Sequence, residues 1–119
     1  MVKLLILFKK PLDTEAFLKY YYQDFAPLVK KLPDLKALVS NRVKGEILGG
    51  EPTYFLICEL HFSTREGFKA AVKSSVYRNL GSSIAVFAKG LVTILVTEID
   101  TPIGSSNTLP LSDFEELTL

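Results

Sequence analysis

Two rhythms of apolar residues alternate along this chain. Residues 2–9, VKLLILFK, form a short and almost unbroken apolar run, the pattern of a strand buried on both faces. From residue 13 to residue 33 the rhythm changes. Phe17, Tyr20, Tyr21, Phe25, Leu28 and Leu32 recur at spacings of three and four, the period of a buried helix face. Asp13 stands where an N-cap belongs, and Glu15 puts a negative charge in the first turn. Pro27 lacks a backbone donor, which predicts a kink or restart near residues 23–27. Tyr20, Tyr21 and Tyr22 spread around the helix, so at least one hydroxyl must meet a polar gap or water.

The pattern then returns to strands. Residues 35–47 read as a weaker strand, with Ser40, Asn41, Arg42 and Lys44 mixed in, as at a sheet edge. Gly49, Gly50 and Pro52 signal a hairpin connection. Residues 54–62 are aromatic and aliphatic almost throughout, a clear strand. Ser63 and Glu66 have capping-box spacing and open a second helical region. Phe68, Ala71 and Val72 share one face. Val76, Leu80, Ile84 and Phe87 continue it after a break at Ser74 and Ser75, and Gly90 is placed to stop it. Residues 91–99 are rich in β-branched side chains and form the fourth strand. Thr, Ser, Gly and Pro crowd residues 101–108, a linker. A smaller capping box, Ser112 to Glu115, lies beyond it.

The order β-α-β-β-α-β, with right-handed crossovers, places both helical regions on one side of an antiparallel four-stranded sheet. The fold class is α+β, in the ferredoxin-like arrangement. Residues 1–100 make the domain, and residues 101–119 are a C-terminal extension, flexible or docked on a partner subunit. The strands carry apolar residues on both faces. In residues 54–62, Phe55, Ile57, Glu59 and His61 alternate with Tyr54, Leu56, Cys58, Leu60 and Phe62. One helix layer covers one face. An apolar patch of that size is rare on a soluble monomer, which predicts a second copy packed sheet to sheet.

Composition narrows the partners. At 119 residues and 48% hydrophobic, the chain is one domain with a real core. Its net charge of +1, with the basic residues scattered, gives no electrostatic footprint for nucleic acid. The apolar run at residues 4–8 is too short for a signal peptide, and no run approaches the roughly 20 residues of a membrane span. Cys58, the single cysteine, lies in an apolar run and reads as a buried thiol. The expectation is a soluble, cytoplasmic protein with no membrane partner.

The opening VKLLILFKKP, the helix EAFLKYYYQDFAPLV followed by KKLPDL, and the element order carry a resemblance. The chain resembles the dimeric α/β barrel superfamily and, within it, the EthD-like proteins, over about residues 1–100. That resemblance implies a homodimer. The superfamily includes small cyclases and isomerases of aromatic or polyketide-like substrates, cofactor-free monooxygenases and haem-degrading enzymes. EthD-like sequences usually have histidine two positions before the proline of PLV, where this chain has Phe25. Phenylalanine cannot titrate, so proton transfer of the family type is not expected from this position.

The remaining chemistry is sparse. His61, the only histidine, lies two residues from Glu59 on one strand face, so the two are candidate catalytic residues as an acid–base pair. The competing reading is a polar pair held by hydrogen bonds across a dimer. No metal-ligand spacing exists, and no metal or cofactor is expected. Tyr20, Tyr21, Phe25 and Leu28 are the candidate ligand-binding residues, with Tyr22 beside them; as a competing reading they are the core and surface of an amphipathic helix. The favoured expectation is a small hydrophobic or aromatic ligand held between the first helix and the sheet. The alternatives are a cofactor-independent cyclase, isomerase or monooxygenase, and a structural dimer without a ligand.

Overall fold

A computed structural model describes residues 1–99. The expected extension, residues 101–119, lies outside them. Four strands, β1 (Val2–Phe8), β2 (Leu35–Arg42), β3 (Leu56–Phe62) and β4 (Val92–Glu98), form one antiparallel sheet in the order β2-β3-β1-β4. With helices between β1 and β2 and between β3 and β4, this is the ferredoxin-like βαββαβ arrangement. Among the described residues no helix is long and apolar enough to cross a membrane.

The first helical region is continuous but changes its winding. α1 (Thr14–Tyr20) starts at Asp13, whose carboxylate accepts from the Ala16 amide at 3.0 Å. A π-helical turn follows over Tyr21–Phe25 and leads into α2 (Ala26–Val29). The Ala26 amide reaches back five residues to the Tyr21 carbonyl. The wide turn sits just before Pro27, whose ring would otherwise press on the carbonyl four residues earlier. The predicted break is therefore absorbed as one loosened turn. That turn holds Tyr21 and Phe25 against the sheet, both fully buried.

The second helical region divides where the serines predicted. α3 (Arg65–Val72) and α4 (Ser75–Phe87) meet at Ser74, which caps α4 by accepting from the Tyr77 amide at 3.2 Å. The cap of α3 lies one residue later than the sequence suggested. Thr64, rather than Ser63, accepts from the Gly67 amide at 3.0 Å. Gly90 turns the chain with φ of 74°. The weaker strand is shorter than expected, ending at Arg42 rather than residue 47. Residues 43–55 form a long connection in which Gly49 and Gly50 take φ of 90° and 89°. The Val43 amide still bonds to the Phe55 carbonyl at 3.0 Å, but Ile47 and Leu48 between them stand exposed, so no buried face carries the strand beyond Arg42.

The core lies between the helices and one sheet face. Leu4, Ile6 and Phe8 of β1 and Leu56, Cys58, Leu60 and Phe62 of β3 point into it, and each is 2% exposed or less. Phe8 is its aromatic hub. Its ring centroid lies 5.3 Å from Phe17, 5.8 Å from Phe87, 6.0 Å from Tyr21 and 6.2 Å from Phe25, mostly edge to face. Such pairs add to area burial. Phe8→Ala is expected to cost about 3–5 kcal/mol in denaturant unfolding. Leu12→Ala, at a fully exposed loop tip, should stay within about 0.5 kcal/mol. Equal effects of the two would contradict this account of the core.

Candidate functional site

Each strand presents every second residue to the face without helices. Register fixes three rows there. Ala37, His61, Lys3 and Thr97 form one, Val39, Glu59, Leu5 and Leu95 the next, and Asn41, Ile57, Leu7 and Thr93 the third. Apolar side chains hold much of this face, and Val39 and Leu95 are exposed.

His61 and Glu59 lie together on this face; strand alternation predicted that they share one. The His61 Nε2 is 3.0 Å from Glu59 Oε1, and the Lys3 ammonium is 3.5 Å from the same oxygen. The other oxygen, Oε2, accepts from the Asn41 amide at 2.8 Å, and Asn41 also donates to the Ile57 carbonyl at 3.2 Å. The sequence reading missed Lys3 and Asn41 as members of this cluster. Only strand register brings residues from β1, β2 and β3 together here. The hydrogen bond from His61 foremost, then those from Asn41 and the Lys3 charge, hold Glu59 below the usual carboxylate range, against the opposing effect of desolvation. With both oxygens engaged and its pKa lowered, Glu59 is a weak base, better suited to holding the imidazole than to taking a proton. Among the described residues no group of three or more His, Cys, Asp or Glu side chains is placed to hold a metal ion.

The residues expected to line a pocket beneath the first helix separate. Tyr21 and Phe25 are closed into the aromatic core, and Leu28 packs at its margin. The Tyr21 hydroxyl lies 2.7 Å from Ser40 Oγ, and Ser40 pairs with Cys58 across the strands. Burial first, then the neighbouring Cys58, hold the Tyr21 hydroxyl above the ordinary tyrosine range. Burial also pushes the Cys58 thiol up to about 11. Phenol and thiol are both neutral at physiological pH, and this polar spot serves packing. Tyr22 is exposed.

Tyr20 goes elsewhere. Its hydroxyl lies 2.9 Å from Ser83 Oγ on α4, and its ring lies 4.7 Å from that of Phe87, tilted by 31°. Together with Pro11, Ala16, Phe17, Phe87 and Leu91 it walls an open cleft of about 500 Å³ at the N-terminal end of α1, with Lys10, Asp13 and Lys89 also lining it. Phe87 and Leu91 come from the far end of the chain. The helical periodicity of residues 76–87 marked Phe87 as core but could not place it beside Tyr20.

Comparison with known proteins agrees with this geometry. Residues 9–90 match the model of the EthD domain. An EthD family protein of solved structure from Bacillus halodurans is 31% identical, over 83% of this chain and 98% of that one, with a TM-score of 0.78. An uncharacterised 11.0 kDa protein from the thcB-thcC intergenic region of Rhodococcus erythropolis is 28% identical, over 85% of this chain and 97% of that protein. More distant structures share the fold alone. One is a dimeric ferredoxin-like protein of unknown function from Thermobifida fusca, at 15% identity over 82% of this chain and 90% of that one, with a TM-score of 0.60. Another is SnoaB, a cofactor-independent oxygenase from Streptomyces nogalater, at 9% identity over 87% of this chain and 97% of that one, also at 0.60.

Two measurements test the polar groups. The Glu59 carboxyl is expected to titrate below the ordinary value of 4.5 by NMR and to move back toward it in His61→Ala. A lowered folded-state pKa means that Glu59 adds stability above the unfolded value and loses it as pH falls through the folded one. An unchanged titration in His61→Ala would contradict the assignment. The Cys58 thiol should resist a thiol reagent at pH 8 in the native protein and react on unfolding. Rapid native reaction would place it at the surface.

Proposed function

The chain belongs to the EthD domain family, and we propose that it works as a homodimer that binds a small hydrophobic or aromatic ligand in the cleft beside the first helix. The observation that carries the ligand reading is the cleft itself. Its volume of about 500 Å³ lies in the range of small-molecule sites. Phe17, Tyr20 and Phe87 offer aromatic rings, and Lys10, Asp13 and Lys89 offer polar groups at the same walls. Phe25, where the family usually has histidine, supplies no titrating group. The reading is therefore binding without proton transfer from that position.

The dimer reading rests on the face without helices. Leu5, Val39, Ile57 and Leu95 give it an apolar surface that a second copy would cover, and several proteins of this fold are described as dimeric. An obligate interface of this kind buries on the order of 2,000 Å² or more in total. The cluster of Lys3, Glu59, His61 and Asn41 suits that position, because its charges are already paired within one subunit.

One observation favours a second reading, a cofactor-independent cyclase, isomerase or monooxygenase. His61 and Glu59 form a hydrogen-bonded pair at 3.0 Å. The saturated carboxylate and its distance in the fold from the cleft weigh toward the binding reading, and the oxygenase activity of SnoaB does not transfer with the fold.

Titration with phenols, aromatic lactones and poly-β-ketones, followed by calorimetry and product analysis, tests the ligand reading. Binding without turnover in the wild type, weakened at least about tenfold by Ala16→Trp in the cleft, is the expected result. Turnover that disappears in His61→Ala would establish the enzyme reading instead. For assembly, sedimentation should find a dimer at micromolar concentration and a monomer for Leu5→Glu, which buries an unpaired charge. A well-folded wild-type monomer would overturn the dimer.

A further inference from the structure

The cleft beside the first helix combines an aromatic wall with an excess of positive charge. Phe87 is the ring that the wall shares, with its centroid 5.2 Å from Phe17 and 4.7 Å from Tyr20. The charged residues lining the cleft are Lys10, Lys89 and Asp13. The sheet brings the two lysines to one place. Phe8 pairs with Val92, and the Lys9 amide donates to the Leu91 carbonyl at 2.8 Å. The chain leaving β1 and the chain entering β4 therefore run side by side where Lys10 and Lys89 stand. Asp13 already has a task, because its carboxylate accepts from the Ala16 amide at 3.0 Å and caps α1. Among the described residues, ion pairs join Lys3 and His61 to Glu59 and Arg65 to Glu98, and neither Lys10 nor Lys89 enters one. Leu12 is a separate observation. It lines the cleft and yet is fully exposed, an apolar side chain without cover of its own.

We propose, resting on the ligand reading of the same cleft, that it selects aromatic carboxylates, with the ring against Phe17, Tyr20 and Phe87 and the carboxylate at Lys10 and Lys89. Two lysines against one carboxylate leave a single positive charge over, which a monoanion balances. A neutral aromatic leaves both ammonium groups without a partner, and an aromatic cation is repelled. Among the described residues no arginine lines the cleft, so it lacks the planar fork that suits phosphate. A ring in the cleft also takes the Leu12 side chain out of water, which favours binding through apolar area and not through charge. Ring and carboxylate thus depend on different residues, and substitution can separate them.

Calorimetry on the full chain with cinnamate and its neutral isostere cinnamamide, near neutral pH and at low salt, tests this selection. The acid should bind at least about tenfold more tightly than the amide. Lys10→Gln and Lys89→Gln should each weaken cinnamate by about threefold, the contribution of one exposed charge pair. Combined, they should bring acid and amide to within about twofold of each other while the amide's own affinity holds. Lys44→Gln removes the same charge from a neighbouring depression outside the cleft and should leave the preference intact. Leu12→Ala should weaken both probes alike. All these positions are exposed, so every variant should keep the wild-type thermal midpoint. Equal affinity for acid and amide, both weakened by Ala16→Trp, would overturn the charge selection and leave the ligand reading standing. Binding of neither probe would overturn both. A preference that survives the double lysine variant, or that falls equally in Lys44→Gln, would overturn the assignment to Lys10 and Lys89.

Discussion

Everything on the helix side of the sheet depends on how Phe8 is enclosed. It is the last residue of β1, next to the loop that leads into α1, and it is fully buried. Rings from α1, the π-helical turn and α4 surround it. To bring Phe17, Tyr21 and Phe25 onto one ring, the helix must keep a single face toward the sheet through the turn that precedes Pro27. An ordinary helical turn would press the proline ring on its own backbone, and a break would turn Phe25 away. The wider turn avoids both outcomes. The same packing fills the space beneath the helix and leaves no room there for the expected pocket. It pushes the open volume to the edge of the cluster, where Phe17 and Phe87 are still at hand and Tyr20 joins them.

Among the described residues, the sheet has helices for one face only. Its other face combines apolar rows with a polar cluster whose hydrogen bonds are closed among its own members. A surface of this kind can be covered by another apolar surface without leaving a charge unpaired, because Glu59 keeps its partners when water is removed. In this setting His61 and Glu59 are a hydrogen-bonded pair fixed to the surface of the sheet. Asn41 bridges β2 to β3 and Lys3 bridges β1 to β3 through the same carboxylate, so the cluster also ties three strands together.

The polar groups on the helix side differ in kind. Tyr21, Ser40 and Cys58 satisfy one another in a buried spot where neither phenol nor thiol ionises near neutral pH. Tyr20 and Ser83 satisfy each other at an open wall. Adjacent tyrosines on one helix thus receive opposite roles. The hundred-degree step between neighbours sends one ring into the core and the next toward α4.

Much of this architecture was legible in the sequence, because it rests on local rules. Apolar runs and helical spacings gave the strands and helices in order, and that order, with right-handed crossovers, leaves a single sheet topology. Asp13, Ser74 and Gly90 marked ends that the backbone obeys. Alternation along β3 put His61 and Glu59 side by side on one face, and the packing of the helices made it the uncovered one. The sites were less legible, because each joins residues far apart in sequence. Tyr20 meets Ser83 and Phe87 across more than sixty residues, and Glu59 meets Lys3 and Asn41 through the register of two separate strand pairs. Helical periodicity said that Tyr20, Tyr21, Phe25 and Leu28 faced inward. Which of them would be sealed and which left at an opening depended on how much volume Phe8 and Phe87 brought to the same place, and packing across the whole fold alone decides that.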